Sequence, residues 1–239
     1  MLTSLRKMEG FNVRGVDGEV GKVKDFYFDT VEWIVRYSIV NTGSWFSGAK
    51  VLISPSDFSK PAWQDENFTV SLTKEKIEKS PSIETDRPIS KQKEADLIKY
   101  YNWPYYWGVT PPIRNIAEGE EDKEERDPHL RSLNELHGYR IKGTDGKIGH
   151  VEDFIVEEDS WIIRYMVVDL RNFLPGKKVL IAPEWIDNIN WATKELEVWL
   201  DVDSIKNVPK YDPSLPIDRR YEEKLYNYFE VPTYWEEEE

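Results

Sequence analysis

The sequence has no cysteine in its 239 residues. Disulfides, thiolate metal sites and cysteine nucleophiles are therefore excluded, and the lack fits a reducing cytosol. Histidine is nearly absent too, with three in all: His129, His137 and His150. Their spacing fits no metal motif, so each reads as a structural or surface residue and no metal or cofactor is expected. No Gly-x-Ser-x-Gly elbow, phosphate-binding loop or dinucleotide fingerprint occurs. No apolar run approaches the length of a bilayer span, and MLTSLRKMEGF has no apolar stretch behind its basic residues. Cations are short, 32 against 45 acidic residues, a formal net charge of −13. So negative a surface repels phosphate backbones and anionic lipid alike. The expectation is a cytoplasmic protein without membrane insertion and without a nucleic-acid partner.

What the chain does have is a repeat. Asp17-Gly18 and Asp145-Gly146 stand 128 residues apart, and the same spacing joins Gly21 to Gly149, Asp25 to Asp153, Trp33 to Trp161, Arg36 to Arg164 and Tyr37 to Tyr165. It persists through Pro55 and Pro183, Glu94 and Glu222, and Pro104 and Pro232. No gap is needed, which identifies a tandem duplication. The reading is two copies, at residues 1–108 and 129–235. Residues 109–128 form an acidic linker and residues 236–239 an acidic tail, both too charged to bury apolar surface.

Within each copy the Asp-Gly pairs predict tight hairpin turns. The strand that follows loses its alternation near Lys22–Asp25, which predicts a bulge or bend. Trp33, Val35, Tyr37 and Ile39 then share one face with period two, as do Trp161, Ile163, Tyr165 and Val167. Lys50–Ile53 and Lys178–Ile181 predict short strands ended by proline. A fourth strand lies near 68–72 and 196–200, a short helix at 73–79, and longer helices at 90–101 and 218–229. The fold class is mainly β with short helices. Short strands with frequent turns and a strong bend argue for two small β-barrels, each followed by a helix and an aromatic tail.

The order of a short strand, an Asp-Gly turn, Gly-x-[Val/Ile] leading to Asp-Phe, Trp-x-[Val/Ile]-Arg-Tyr and a Val-Leu-Ile strand ending in Pro resembles the PRC-barrel family. That family includes the cytoplasmic part of the photosynthetic reaction-centre H subunit and the C-terminal domain of a ribosome maturation factor. The resemblance covers about the first eighty residues of each copy. It implies a barrel that docks to other proteins and does not catalyse.

Two groups of residues are candidates for function. Asp25 with Arg36, and Asp153 with Arg164, offer paired charges suited to a ligand carboxylate or phosphate, or to an ion pair that fixes strand register. The aromatic tails offer Trp103, Tyr105, Tyr106 and Trp107 in one copy and Tyr234 and Trp235 in the other. Each tail either covers its own barrel or docks elsewhere, where tyrosine and tryptophan carry most contact energy. The functional reading is a non-enzymatic interaction or scaffolding module with an unidentified protein partner, including a homodimer or pairing of the two repeats. Two alternatives remain open: an accessory factor of photosynthetic electron transfer, and a small-molecule binder or enzyme built on the paired Asp and Arg.

Overall fold

The computed structural model describes residues 1–43, 48–81, 89, 91–106, 130–171 and 174–237. Residues 109–128, expected as the linker, and Trp107 and His129 lie outside them. The described residues form two open sheets and short helices, so the fold is mainly β. No helix among them is long and apolar enough to cross a membrane.

In chain order the elements are β1 (Leu2–Ser4), α1 (Leu5–Met8), β2 (Asn12–Gly15), β3 (Gly18–Asp29), β4 (Ile34–Asn41), β5 (Lys50–Ile53), β6 (Asn67–Thr69), α2 (Lys74–Glu78) and α3 (Lys91–Tyr101). After these come β7 (Leu130–Ser132), α4 (Leu133–Leu136), β8 (Arg140–Lys142), β9 (Lys147–Glu157), β10 (Ile163–Asp169) and β11 (Lys178–Ile181). The chain ends with β12 (Ile186–Asn190), β13 (Glu195–Val198), α5 (Val202–Asn207), α6 (Arg219–Phe229) and α7 (Tyr234–Glu237). The spacing of 128 recurs in these bounds: β1 with β7, α1 with α4, β5 with β11 and α3 with α6 coincide residue for residue. Helix α7 includes Glu236 and Glu237, so the first half of the acidic tail is helical where irregular chain was expected.

The chain divides into two compact units, and these are not the two contiguous copies. The first unit is Met8–Glu135; the second is Leu136–Glu239 together with Met1–Lys7. In the first, the sheet order is β5-β4-β3-β2-β6, with β7 added on β3. In the second it is β11-β10-β9-β8-β13-β12, with β1 added on β9. Strands β2 and β6 run parallel, as do β8 and β13; every other pairing is antiparallel. No ladder joins β5 to β6 or β11 to β12 among the described residues. Where closed barrels were expected from the bend, the described residues form sheets that no ladder closes.

The bend itself lies where the broken alternation placed it. Pairing of β3 with β4 passes from Val23↔Val40 to Asp25↔Ile39 and skips Lys24. Pairing of β9 with β10 skips Glu152 in the same way. A β-bulge of this kind sharpens the local twist. Gly21 permits the close approach: a Cβ there would lie 2.0 Å from the Asn41 carbonyl oxygen. Trp33 and Trp161 differ from expectation. They stand before their strands with φ of 55° and 59°, their N–H groups donating to the Asp29 and Glu157 carbonyls at 2.8 Å. The turn takes them out of the alternating face, and Trp33 packs instead on Phe28, ring centres 5.2 Å apart.

Two turn aspartates also serve helices. Asp17 accepts from Lys74 N–H at 2.9 Å and Asp145 from Val202 N–H at 2.8 Å, so each hairpin turn caps the first turn of α2 or α5. Helix α3 buries Glu94, Ala95, Leu97, Ile98 and Tyr101, and α6 buries Glu222, Leu225 and Tyr226. That is the one-sided stripe of an amphipathic helix, with a glutamate inside it in both copies.

Candidate functional site

The matched aspartates hold the added strands. Asp25 sits at the bend of β3 and accepts hydrogen bonds from Ser132 Oγ, from Asn134 N–H at 3.3 Å and from its neighbour Phe26 N–H at 2.7 Å. Asp153 accepts from Ser4 Oγ at 2.5 Å, Arg6 N–H at 3.1 Å and Phe154 N–H at 2.7 Å. In both units the carboxylate thus grips the serine that ends a three-residue strand and a backbone N–H in the helical turn after it. The ladders share one register: Leu130, Arg131 and Ser132 face Asp29, Phe28 and Tyr27, while Leu2, Thr3 and Ser4 face Glu157, Val156 and Ile155. The leading arm of each copy completes the unit that contains the other copy's sheet. Sequence reading did not find the arms, although Leu2/Leu130, Ser4/Ser132 and Leu5/Leu133 are identical pairs at the repeat spacing.

Burial raises both carboxyls, Asp25 and Asp153, above the ordinary value of 3.8, and the arm's hydrogen bonds pull the other way. The folded state then binds more protons than the unfolded chain just above pH 3.8. Stability from these two groups is full below that pH and declines as pH rises through their folded pKa. We expect the stability difference, wild type minus Asp25→Asn/Asp153→Asn, to fall with rising pH across this window. Denaturant titrations at stepped pH from about 4 to 7 measure it; a flat difference would contradict the assignment.

The arginines are elsewhere. Arg36 and Arg164 occupy a second irregularity of the ladder, skipped between Val35 and Tyr37 and between Ile163 and Tyr165. Arg36 pairs with Glu32 and lies over the Tyr106 ring, 3.8 Å from its centre. Arg164 pairs with Glu157 at 2.8 Å and lies 4.0 Å over the Tyr234 ring. The expected Asp–Arg pairs do not form: the bulge turns the arginine toward the tail, while the aspartate faces the arm.

The tails fold back within their own units. Tyr106 donates to Glu94 at 2.8 Å, and Tyr37 donates to the same oxygen at 2.7 Å. Tyr234 and Tyr165 do the same to Glu222, at 2.9 and 2.7 Å. Trp103 stacks on Tyr101 at 4.4 Å and donates to Asp57 at 2.6 Å. Trp235 lies beneath Arg219, 3.9 Å away, and beside Tyr226. Tyr105 is only half-buried. Burial, then the nearby glutamate, pushes the Tyr37 hydroxyl well above 10 and the Tyr234 hydroxyl up to about 12. These groups form a clamp of one carboxylate, two phenols and one guanidinium, and in both units it closes on the chain itself.

Two cavities among the described residues are lined by neither Arg36 nor Arg164. A groove of about 860 Å³ in the first unit is lined by Lys22, Lys24 and Lys74 with Gly21 and Asn41, and neither Asp25 nor Arg36 reaches it. A smaller one of about 220 Å³ in the second unit surrounds the arm at Ser4, Arg6 and Asp153. No group of three or more acidic or histidine side chains suited to a metal ion occurs among the described residues. The second unit exposes two-fifths of Trp199 and Tyr228, both beside Phe229. No family model matches the chain, and no curated protein matches it.

Proposed function

We propose that the chain is a non-catalytic interaction or scaffolding module built from two PRC-barrel-like repeats. The observation that carries this reading is the use made of the matched polar residues. Asp25 and Asp153 attach a strand contributed by the other copy's leading segment, and Arg36, Arg164, Glu94 and Glu222 attach tails. Both are ways of joining segments, and strand addition is a general mode of protein recognition. The shared strand order, the parallel pair in each sheet and the matched bend support the likeness to that family. Exposed Trp199 and Tyr228 offer an aromatic contact of the kind that anchors partners.

Affinity purification of the intact chain from its own cells, beside a Trp199→Ser variant, tests the reading. Serine is what the first copy carries at the matching Ser71. We expect a protein that rebinds the purified chain in stoichiometric amount and is lost with the variant, while the variant keeps its folded circular-dichroism spectrum. The competing small-molecule reading predicts a different result: Arg36→Glu/Arg164→Glu would fold normally and lose a ligand. We expect that variant to be destabilised instead, because it breaks two ion pairs and two cation–π contacts.

A further inference from the structure

We infer that a second copy of this chain is a partner for the arm sites, the arm Leu2–Ser4 of each chain pairing with β9 of the other and placing its Ser4 on the other's Asp153. The inference deepens the interaction-module reading, on which it rests, by naming the occupant. Three observations carry it. The arm that completes the second unit is not contiguous with the rest of that unit, which resumes at Leu136. It is held there by a three-residue ladder, the Asp153 cap, the buried side chain of Leu5 and polar bonds such as Lys7 Nζ to the Pro213 carbonyl at 3.2 Å, all of which an arm from a second chain can reproduce. The arms and their receiving strands are also duplicated in register, so a Leu-x-Ser-Leu segment is seated in the same way twice.

An arm from another chain would make the same contacts as the resident arm. Contact energy therefore cancels between the closed monomer and the exchanged dimer. What decides between them is effective concentration against protein concentration, the balance that governs domain swapping. Charge opposes the dimer, since each chain carries −13. Salt screens that repulsion, so dimer should increase with ionic strength as well as with concentration.

The absence of native cysteine makes the test direct. Thr3 and Val156 face each other across the β1–β9 ladder. A chain with Thr3→Cys is mixed, under mild oxidation, with a chain carrying Val156→Cys; neither can close this bond alone. We expect a reducible heterodimer ~tenfold above a mixture in which exposed Val16→Cys replaces Val156→Cys, increasing with concentration and salt. The double variant Thr3→Cys/Val156→Cys, kept dilute, should close within one chain and so verifies the geometry. Closure within one chain at every concentration, with no heterodimer above the control, would overturn the inference. Light scattering of the unmodified chain gives an independent reading if the variants misfold: an increase in mass with concentration and salt supports exchange, and a monomer throughout refutes it. Neither outcome bears on whether a foreign protein co-purifies, so the two proposals fail separately.

Discussion

Leu5→Ala should unfold the far end of the sequence and spare its own neighbours. Leu5 is 2% exposed and belongs to the unit made of Leu136–Glu239 and Met1–Lys7. Truncating such a leucine costs about 2–5 kcal/mol, the removed methyl groups and the cavity together. That is ~30-fold to several-thousand-fold in an opening equilibrium. The loss should be read by amide exchange in β9, around Ile155 and Val156, more than a hundred residues downstream. Strand β3, only about twenty residues away in sequence, should keep its protection. Leu133→Ala, 6% exposed, should do the reverse and loosen β3 while sparing β9. Cooperative units lose protection together, which is why exchange locates the damage. Loss of protection in β3 on Leu5→Ala would mean that each arm serves its own copy.

The same arms mark the limit of what the sequence makes legible. Local signals were sufficient for the elements: the Asp-Gly turns, the broken phase around Lys24 and the prolines after β5 and β11 each fix a backbone event within a few residues. Strand partners were harder. The parallel pairs β2–β6 and β8–β13 join segments separated by more than fifty residues, and nothing in either strand's alternation names its neighbour. The arms were hardest, because Leu-x-Ser-Leu occurs twice and the two receiving strands are alike. A pattern that fits both seats equally cannot say which it takes. The Asp–Arg pairing failed for a related reason. Matched charges at equal spacing showed that both residues matter, but a single skipped residue in each ladder turns them toward different segments. Compensation was also hidden: the repeat aligns Asp57 with Trp185 and Trp103 with Val231, two mismatches that have one cause. Trp103 comes from the tail to stack on Tyr101, whereas Trp185 comes from the turn after β11 to pack at 4.7 Å on Phe229, the matching residue.

Glu94→Ala/Glu222→Ala should detach both tails and weaken both units. Each glutamate is buried in the apolar stripe of its helix and accepts two phenolic hydrogen bonds. Removing the acceptor strands the buried hydroxyl of Tyr37 or Tyr165, at about 1–3 kcal/mol per unit, and releases the tail phenol to water. Glutamine retains an acceptor oxygen and should cost much less. Adding Tyr37→Phe/Tyr165→Phe to the alanine variant should recover part of the loss, since the stranded hydroxyls are then gone. Alkaline pH gives the complementary test. Burial, then a neighbouring carboxylate or phenol, holds Tyr37 and Tyr165 far above their ordinary value of 10. Stability from these tyrosines is full below pH 10 and declines above it, because the unfolded chain ionises there and the folded one does not. Each such tyrosine adds a slope of about 1.4 kcal/mol per pH unit, so the chain should unfold steeply above pH 10. Tyr37→Phe/Tyr165→Phe should unfold along a shallower curve, followed through phenolate absorbance and circular dichroism together. An equally steep curve in that variant would place the alkaline sensitivity outside the clamps and remove the main support for their role in holding the tails.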